Sequence, residues 1–84
     1  MLFIFQQNAD NTFWMKDTLL SLDIIWLDET RKIVHIEKNV KPCELDPCPV
    51  YSANAQSLYV LELASGVTSD RNISEGDVAT FHLR

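Results

Sequence analysis

The residues best suited to chemistry lie in one short, mostly apolar stretch near the start of the chain. It contains Trp14, Lys16, Thr18 and Asp23. An indole can stack on a ligand, and a charged side chain in apolar surroundings must be paired or must line a solvated pocket. These four residues are therefore the candidate ligand-binding site. Asp23 is also a weaker candidate for a general base, because the sequence places no histidine or second carboxylate near it.

A structural interpretation competes with this one. Lys16, Asp23 and Glu62 are all charged residues within apolar segments, and an internal ion pair of Lys16 with Glu62 or Asp23 would fix the register between strands. Thr18 suits a turn or a helix cap better than a nucleophile. The sequence contains no G-x-S-x-G motif and no glycine-rich phosphate loop, so it predicts no catalytic residue.

Cys43 and Cys48 are the two cysteines of the chain, and they lie in a proline-rich segment. A disulfide between them would contribute about 2 kcal/mol by the loop-entropy relation. Two unlinked thiols, or a redox or metal role, are the alternatives. Two thiols are too few for a structural zinc site, and His35 and His82 are distant in sequence, so we expect no metal and no cofactor.

Length and charge limit the classes of function. The chain has 84 residues, a single domain, with a net charge of -5 and a pI near 4.7. Its longest basic cluster is Arg31-Lys32, which argues against nucleic acid and against an anionic membrane surface as partners. No apolar run approaches the roughly 20 residues of a membrane span. Residues 1–5 suit a strand better than a signal peptide. Because the domain would then begin inside a strand, we expect it to be truncated at its N-terminus.

Hydrophobic patterning predicts a small β-rich fold. Strands are expected over 2–5, 22–27, 32–40, 58–63 and 78–83, with a short extended piece at 13–16 and a helix of one or two turns after Ser65-Gly66. Residues 6–12 should form a turn, and 41–57 a loop because three prolines interrupt it. In strand 32–40, Val34, Ile36 and Val40 should share one face, with Ile33 on the other. The predicted class is α+β, mostly β: a small antiparallel sheet curled into a half-barrel with one short helix.

Several motifs resemble a known family. They are Met1-Leu2-Phe3-Ile4-Phe5, Phe13-Trp14-Met15-Lys16-Asp17-Thr18, Leu22-Asp23-Ile24, Asn39 through Pro42-Cys43, Tyr59-Val60-Leu61-Glu62-Leu63, Gly66 and Gly76-Asp77. In this order they resemble the prokaryotic "domain of unknown function 192" family over essentially the whole chain. The resemblance implies a fold but no established activity. Many members follow a secretion signal, which implies an extracytoplasmic setting and fits a Cys43–Cys48 disulfide, with a cytoplasmic location as the alternative.

The chain departs from the family pattern at its start. Members usually carry an upstream strand and a glycine–leucine–methionine–phenylalanine–arginine segment, and this sequence contains neither. A sheet edge or core face would then be uncovered, which predicts a homodimer or a swapped assembly. The expected function is a non-enzymatic small-ligand-binding or interaction module of the cell envelope. The alternatives are a small hydrolytic enzyme using Asp23 or Cys43, and a thiol-redox module using Cys43 and Cys48.

Overall fold

Within residues 1–14, 19–44 and 47–80, the backbone forms two antiparallel sheets, one of four strands and one of two. The computed structural model describes residues 1–14, 19–44 and 47–80. Its elements are β1 Leu2–Ala9, β2 Thr12–Trp14, β3 Leu22–Leu27, β4 Ile33–Val40, β5 Val50–Ser52, β6 Ser57–Ala64 and α1 Val67–Asp70. The larger sheet has the order β1-β6-β3-β4, and its described strands form an open sheet rather than a closed barrel. The predicted mostly-β class with one short helix is confirmed.

Strand β3 is the centre of the larger sheet. It pairs with β4 on one side and with β6 on the other, and every residue from Asp23 to Leu27 is buried. A nearly continuous apolar run suits such a position, because side chains on both faces are covered. The predicted hairpin between β3 and β4 is confirmed, with Ile25 opposite Ile36.

The two faces of this sheet have different covers. One face, which we call the ribbon face, lies toward the two-stranded β2–β5 sheet. It carries Ile24, Trp26 and Val60, and Tyr51 and Ala53 pack on it. The opposite face, which we call the helix face, carries Ile25, Leu27 and Ile33. The segment after β6 packs on it through Ile73 and Ala79. Each face therefore has its own small hydrophobic cluster. Among the described residues, no helix is long and apolar enough to cross a membrane.

Three sequence predictions are wrong in detail. Strand β1 continues to Ala9, so the turn expected from residue 6 is confined to Asp10-Asn11. Polar residues are tolerated there because β1 lies at the edge of the sheet. The loop expected over 41–57 contains β5, which pairs with β2 immediately after Pro49, where no further proline interrupts the ladder.

The third correction concerns β4. Ile33 and Ile36 pack in the helix-face cluster, whereas Val34 and Val40 pack in the ribbon-face cluster. Pairing shifts between Leu22 and Ile24 and again between Trp26 and Leu27 of β3, and these two irregularities interrupt the strict alternation assumed from sequence. Val78, where the last strand was expected to begin, forms an isolated bridge with Lys32, and residues 81–84 lie outside the described residues.

Trp26 provides a test of the ribbon-face core. Its side chain is fully buried, and its indole Nε1 donates to the Asn11 carbonyl at 3.0 Å. Trp26→Phe removes that donor and part of the ring volume, so we expect the free energy of unfolding to fall by about 2 kcal/mol. Urea denaturation measures the change. Val50→Ala, at an exposed site, should change it by less than about 0.5 kcal/mol.

Candidate functional site

The carboxylate of Asp23 is fully buried on the helix face of the sheet. Its Oδ1 accepts the backbone N–H of Asn39 at 2.9 Å. Its Oδ2 accepts the backbone N–H of Thr68 at 3.0 Å and the Thr68 hydroxyl at 2.7 Å. The Gly66 backbone N–H is a further donor. Asp23 thereby ties β3 to the end of β4 and to the start of α1.

These donors determine the ionisation of Asp23. Burial by itself raises the pKa of the carboxyl, but hydrogen bonds from Asn39, Thr68 and Gly66 outweigh burial and hold the pKa below its ordinary value of 3.8. The group is therefore an anion at neutral pH, enclosed by protein donors. A general base must reach a substrate proton, and this carboxylate has no exposed surface from which to do so.

Of the other predicted residues, Glu62 and the strand that contains Trp14 are described by the structure, and both lie away from Asp23. Trp14 belongs to the β2–β5 ribbon, whose Tyr51 packs on the opposite face of the sheet. Lys16 and Thr18 lie outside the described residues, so their predicted roles stay predictions. Glu62 is opposite Ile24, which places it on the ribbon face, whereas Asp23 is on the helix face. Burial raises the pKa of Glu62, and the charge of the Met1 amino group partly opposes this rise.

Cys43 and Cys48 form a disulfide, with their Cα atoms 5.7 Å apart. The bridge joins the chain leaving β4 to the chain entering β5, and both cysteines are partly exposed. In this state Cys43 is not a free nucleophile. An open cleft of about 450 Å³ lies beside the bridge, lined by Lys41, Pro42, Cys43, Glu44, Pro49 and Tyr51.

A second cavity, of about 390 Å³, lies on the helix face. Of the eight lining residues that the structure describes, seven are apolar: Ile25, Leu27, Ile33, Leu61, Ile73, Val78 and Ala79. The eighth is Asp77, whose carboxylate accepts the Ser74 backbone N–H at 2.9 Å. Sequence reasoning missed this cavity, which lies on the face where Tyr59, Leu61 and Leu63 of β6 pack.

The outer wall of the cavity is a short segment hydrogen-bonded to the start of β4. Ile33 N–H donates to the Asp77 carbonyl at 2.8 Å, and Ala79 N–H donates to the Arg31 carbonyl at 2.9 Å. Gly76 N–H donates to the Ile33 carbonyl at 2.8 Å, with a φ of +92° that favours glycine. The wall is therefore a short backbone segment that extends the sheet at the edge formed by β4.

His35 joins this wall to β4. Its Nε2 lies 2.8 Å from a Glu37 carboxylate oxygen, and its Nδ1 lies 3.4 Å from a Glu75 oxygen. The ring also lies against Trp26, with centroids 5.5 Å apart. Its half-buried position between two carboxylates links the turn before Gly76 to the β4 edge. Within the described ranges, no three histidine, cysteine or acidic side chains are grouped so as to hold a metal ion.

Comparison with known proteins agrees with the sequence resemblance. Residues 1–81 match the family model of DUF192, described as an uncharacterized ACR. A solved protein of unknown function from Novosphingobium aromaticivorans DSM 12444 has a TM-score of 0.84 and 31% identity, over 93% of this chain and 54% of the other. A candidate transcription regulator from Sinorhizobium meliloti 1021 has a TM-score of 0.85 and 31% identity, over 93% and 58%. The chain thus spans somewhat over half the length of each. No curated protein matches.

Replacing Asp23 should be costly and should change the acid dependence of stability. Because the folded-state pKa lies below 3.8, the stabilisation is present above that value and is lost as pH falls through the lowered pKa. In Asp23→Asn, the side-chain amide nitrogen is itself a donor and would face the N–H groups that donate to the carboxylate of the wild type. We expect the free energy of unfolding at pH 7 to fall by about 3 kcal/mol or more, and the difference from wild type to narrow below pH about 4.

Urea denaturation across pH tests this expectation, with exposed Asp70→Asn as the matched control, expected to change stability by less than about 0.5 kcal/mol. If Asp23→Asn does not fold, Thr68→Val, which removes one donor, should still lower stability by about 1 to 2 kcal/mol. An Asp23→Asn protein as stable as wild type at pH 7 would contradict the structural assignment.

The disulfide makes a separate prediction. The double variant Cys43→Ser/Cys48→Ser should lose about 2 kcal/mol of unfolding free energy, because the bridge no longer restricts the unfolded chain. Reductant should lower the stability of wild type by the same amount and leave the double variant unchanged. Equal stability of wild type with and without reductant, at complete reduction, would show that the bridge contributes nothing.

Proposed function

This chain belongs to the DUF192 family, and we propose that it is a non-enzymatic module that binds a small apolar ligand in the helix-face cavity. The cavity itself carries this proposal. Its volume of about 390 Å³ is within the range of small-molecule sites, and such sites are lined mainly by apolar side chains with few polar groups.

The lining limits the kind of ligand. Apolar walls from Ile25, Leu27 and Leu61 favour a hydrocarbon or aromatic body, because burying apolar surface yields roughly 25 cal/mol per Å². Asp77 is the one charged residue in the described lining, and the chain carries a net charge of -5. Both disfavour an anion, so the proposed ligand is neutral, or carries a cation toward the Asp77 side.

Asp23 serves this function indirectly. Thr68, which donates to its carboxylate, accepts the Ile73 backbone N–H at 2.9 Å through its own carbonyl, and Ile73 lines the cavity. A chain of hydrogen bonds therefore runs from the sheet interior to the cavity wall. We propose that Asp23 positions this wall, which replaces its initial interpretation as a ligand contact.

Thiol–disulfide exchange at Cys43–Cys48 is a second candidate function. The observation that favours it is the open cleft beside a partly exposed bridge. A disulfide resistant to mild reductant would be structural, and one reduced readily would support exchange. Hydrolysis through Asp23 or Cys43 has less support, because one carboxylate is enclosed and the other side chain is bridged.

The disulfide also supports a setting outside the reducing cytoplasm, such as the prokaryotic cell envelope. A role in transcription regulation, like that named for the Sinorhizobium meliloti relative, gains no support from charge, since an acidic chain whose longest basic cluster is Arg31-Lys32 repels the phosphates of nucleic acid. We propose in addition that the module forms a homodimer, because β1 offers a sheet edge.

Binding of a neutral apolar dye tests the cavity. Nile red should increase in fluorescence with wild-type protein and reach saturation. Ala79→Phe should fill the cavity and weaken binding by about tenfold or more, equivalent to about 1.4 kcal/mol. The Ala79 backbone N–H keeps its bond to Arg31, so the fold should persist.

Val50→Phe is the matched control, because it adds the same ring at an exposed site away from the cavity. It should bind the dye as wild type does. If wild type shows no saturable signal, or if the Ala79→Phe and Val50→Phe proteins bind alike while remaining folded by circular dichroism, the cavity is not the site.

A further inference from the structure

We propose that the free edge of β1 pairs with β1 of a second copy of this chain, in antiparallel register with Ile4 opposite Ile4 of the second copy. This inference deepens the proposed homodimer and rests on it. It does not depend on ligand binding, because the outer edge of β1 faces away from the strands that line the cavity.

Backbone geometry identifies the groups that would pair. Met1 and Glu62 exchange two hydrogen bonds, from Met1 N to the Glu62 carbonyl at 2.7 Å and from Glu62 N to the Met1 carbonyl at 2.8 Å. Hydrogen-bonded and non-hydrogen-bonded pairs alternate along an antiparallel ladder. Leu2 and Ile4, opposite Leu61 and Tyr59, are therefore non-hydrogen-bonded pairs toward β6. Their N–H and C=O groups point to the outer edge, where no described strand pairs with them.

Two-fold symmetry fits this pattern. When Ile4 lies opposite Ile4 of the second copy, the two residues exchange both backbone hydrogen bonds across the axis. Opposite residues then share a face, so the exposed Ile4 side chains contact each other, and Phe3 lies opposite Phe5 of the second copy. A shift by one residue would place side chains from different faces of the sheet opposite each other.

The composition of β1 supports a second copy as the partner. Natural edge strands are protected by charges, prolines or bulges. The sequence of β1, LFIFQQNA, has no charged residue and no proline, and its pairing with β6 shifts only after Ile4. Ile4 is 56% exposed. Since the chain has a net charge of -5, an uncharged strip is where two copies can approach with the least repulsion.

The size of the contact sets its strength. Pairing over residues 2–6 spans about 17 Å at roughly 3.3 Å per residue, which is small beside a standard interface. We therefore expect a dimer that depends on protein concentration. Sedimentation equilibrium of the 84-residue chain should show the mass rising from monomer to dimer with concentration.

Cross-linking tests the register. Opposite Cα atoms in a hydrogen-bonded pair lie about 5.5 Å apart, within disulfide range. Both native cysteines are bridged, so Ile4→Cys adds one free thiol. Under mild oxidation it should form a covalent dimer on a non-reducing gel at least about tenfold faster than Leu20→Cys, a control at another exposed apolar residue.

A charge variant completes the test. Ile4→Lys sets two like charges opposite each other, so its dimer should dissociate about tenfold or more readily, with unchanged circular dichroism and unchanged Nile red binding per chain. A wild-type chain that is monomeric at every concentration, a dimer unaffected by Ile4→Lys, or equal cross-linking of the two cysteine variants would each overturn the proposal. A wild-type chain that forms the dimer but does not bind Nile red would instead count against the cavity alone.

Discussion

The compensation of one buried charge organises this small protein. An ionised carboxylate inside a protein is tolerated only when donors replace its water, and Asp23 obtains them from Asn39, Gly66 and Thr68. These donors come from the end of β4 and from the turn and helix after β6. The charge can therefore be satisfied only when β3, β4 and the segment after β6 are all in place. The burial of Asp23 thus favours one arrangement of segments over competing compact ones.

The same compensation explains local backbone choices that would otherwise be costly. Asn39 has a φ of 54°, a conformation in which asparagine is more often found than most residues. Its N–H reaches Asp23, and its side-chain oxygen accepts the Ser65 hydroxyl. Gly66, with a φ of 95°, starts α1 in a position where its N–H also points to the carboxylate. The left-handed backbone conformations of Asn39 and Gly66 thus accompany the N–H groups that donate to the Asp23 carboxylate.

Sequence was sufficient for the parts of the fold that depend on neighbouring residues. The apolar run of β3, its hairpin with β4, the single-turn helix and the disulfide all follow from local pattern or short separation. It was insufficient where the deciding contact is distant. Thr68 lies 45 residues from Asp23, and nothing in its own surroundings marks it as a partner. The cavity likewise depends on segments joined only by tertiary pairing, such as Ile33 with Asp77.

The separation of the two faces also explains why the stretch from Trp14 to Asp23 resembles a ligand-binding site in the sequence. Trp14 and Asp23 are nine positions apart in sequence, and sequence alone suggests one cluster. In the fold, the strand of Trp14 pairs with β5, next to Tyr51 on the ribbon face, whereas Asp23 faces α1. Among the described residues, the ribbon face is filled by Trp26 and its neighbours, and the helix face is covered by one helical turn and one short segment. In this part of the chain the apolar side chains of the helix face are not all enclosed, and the space between them is the cavity.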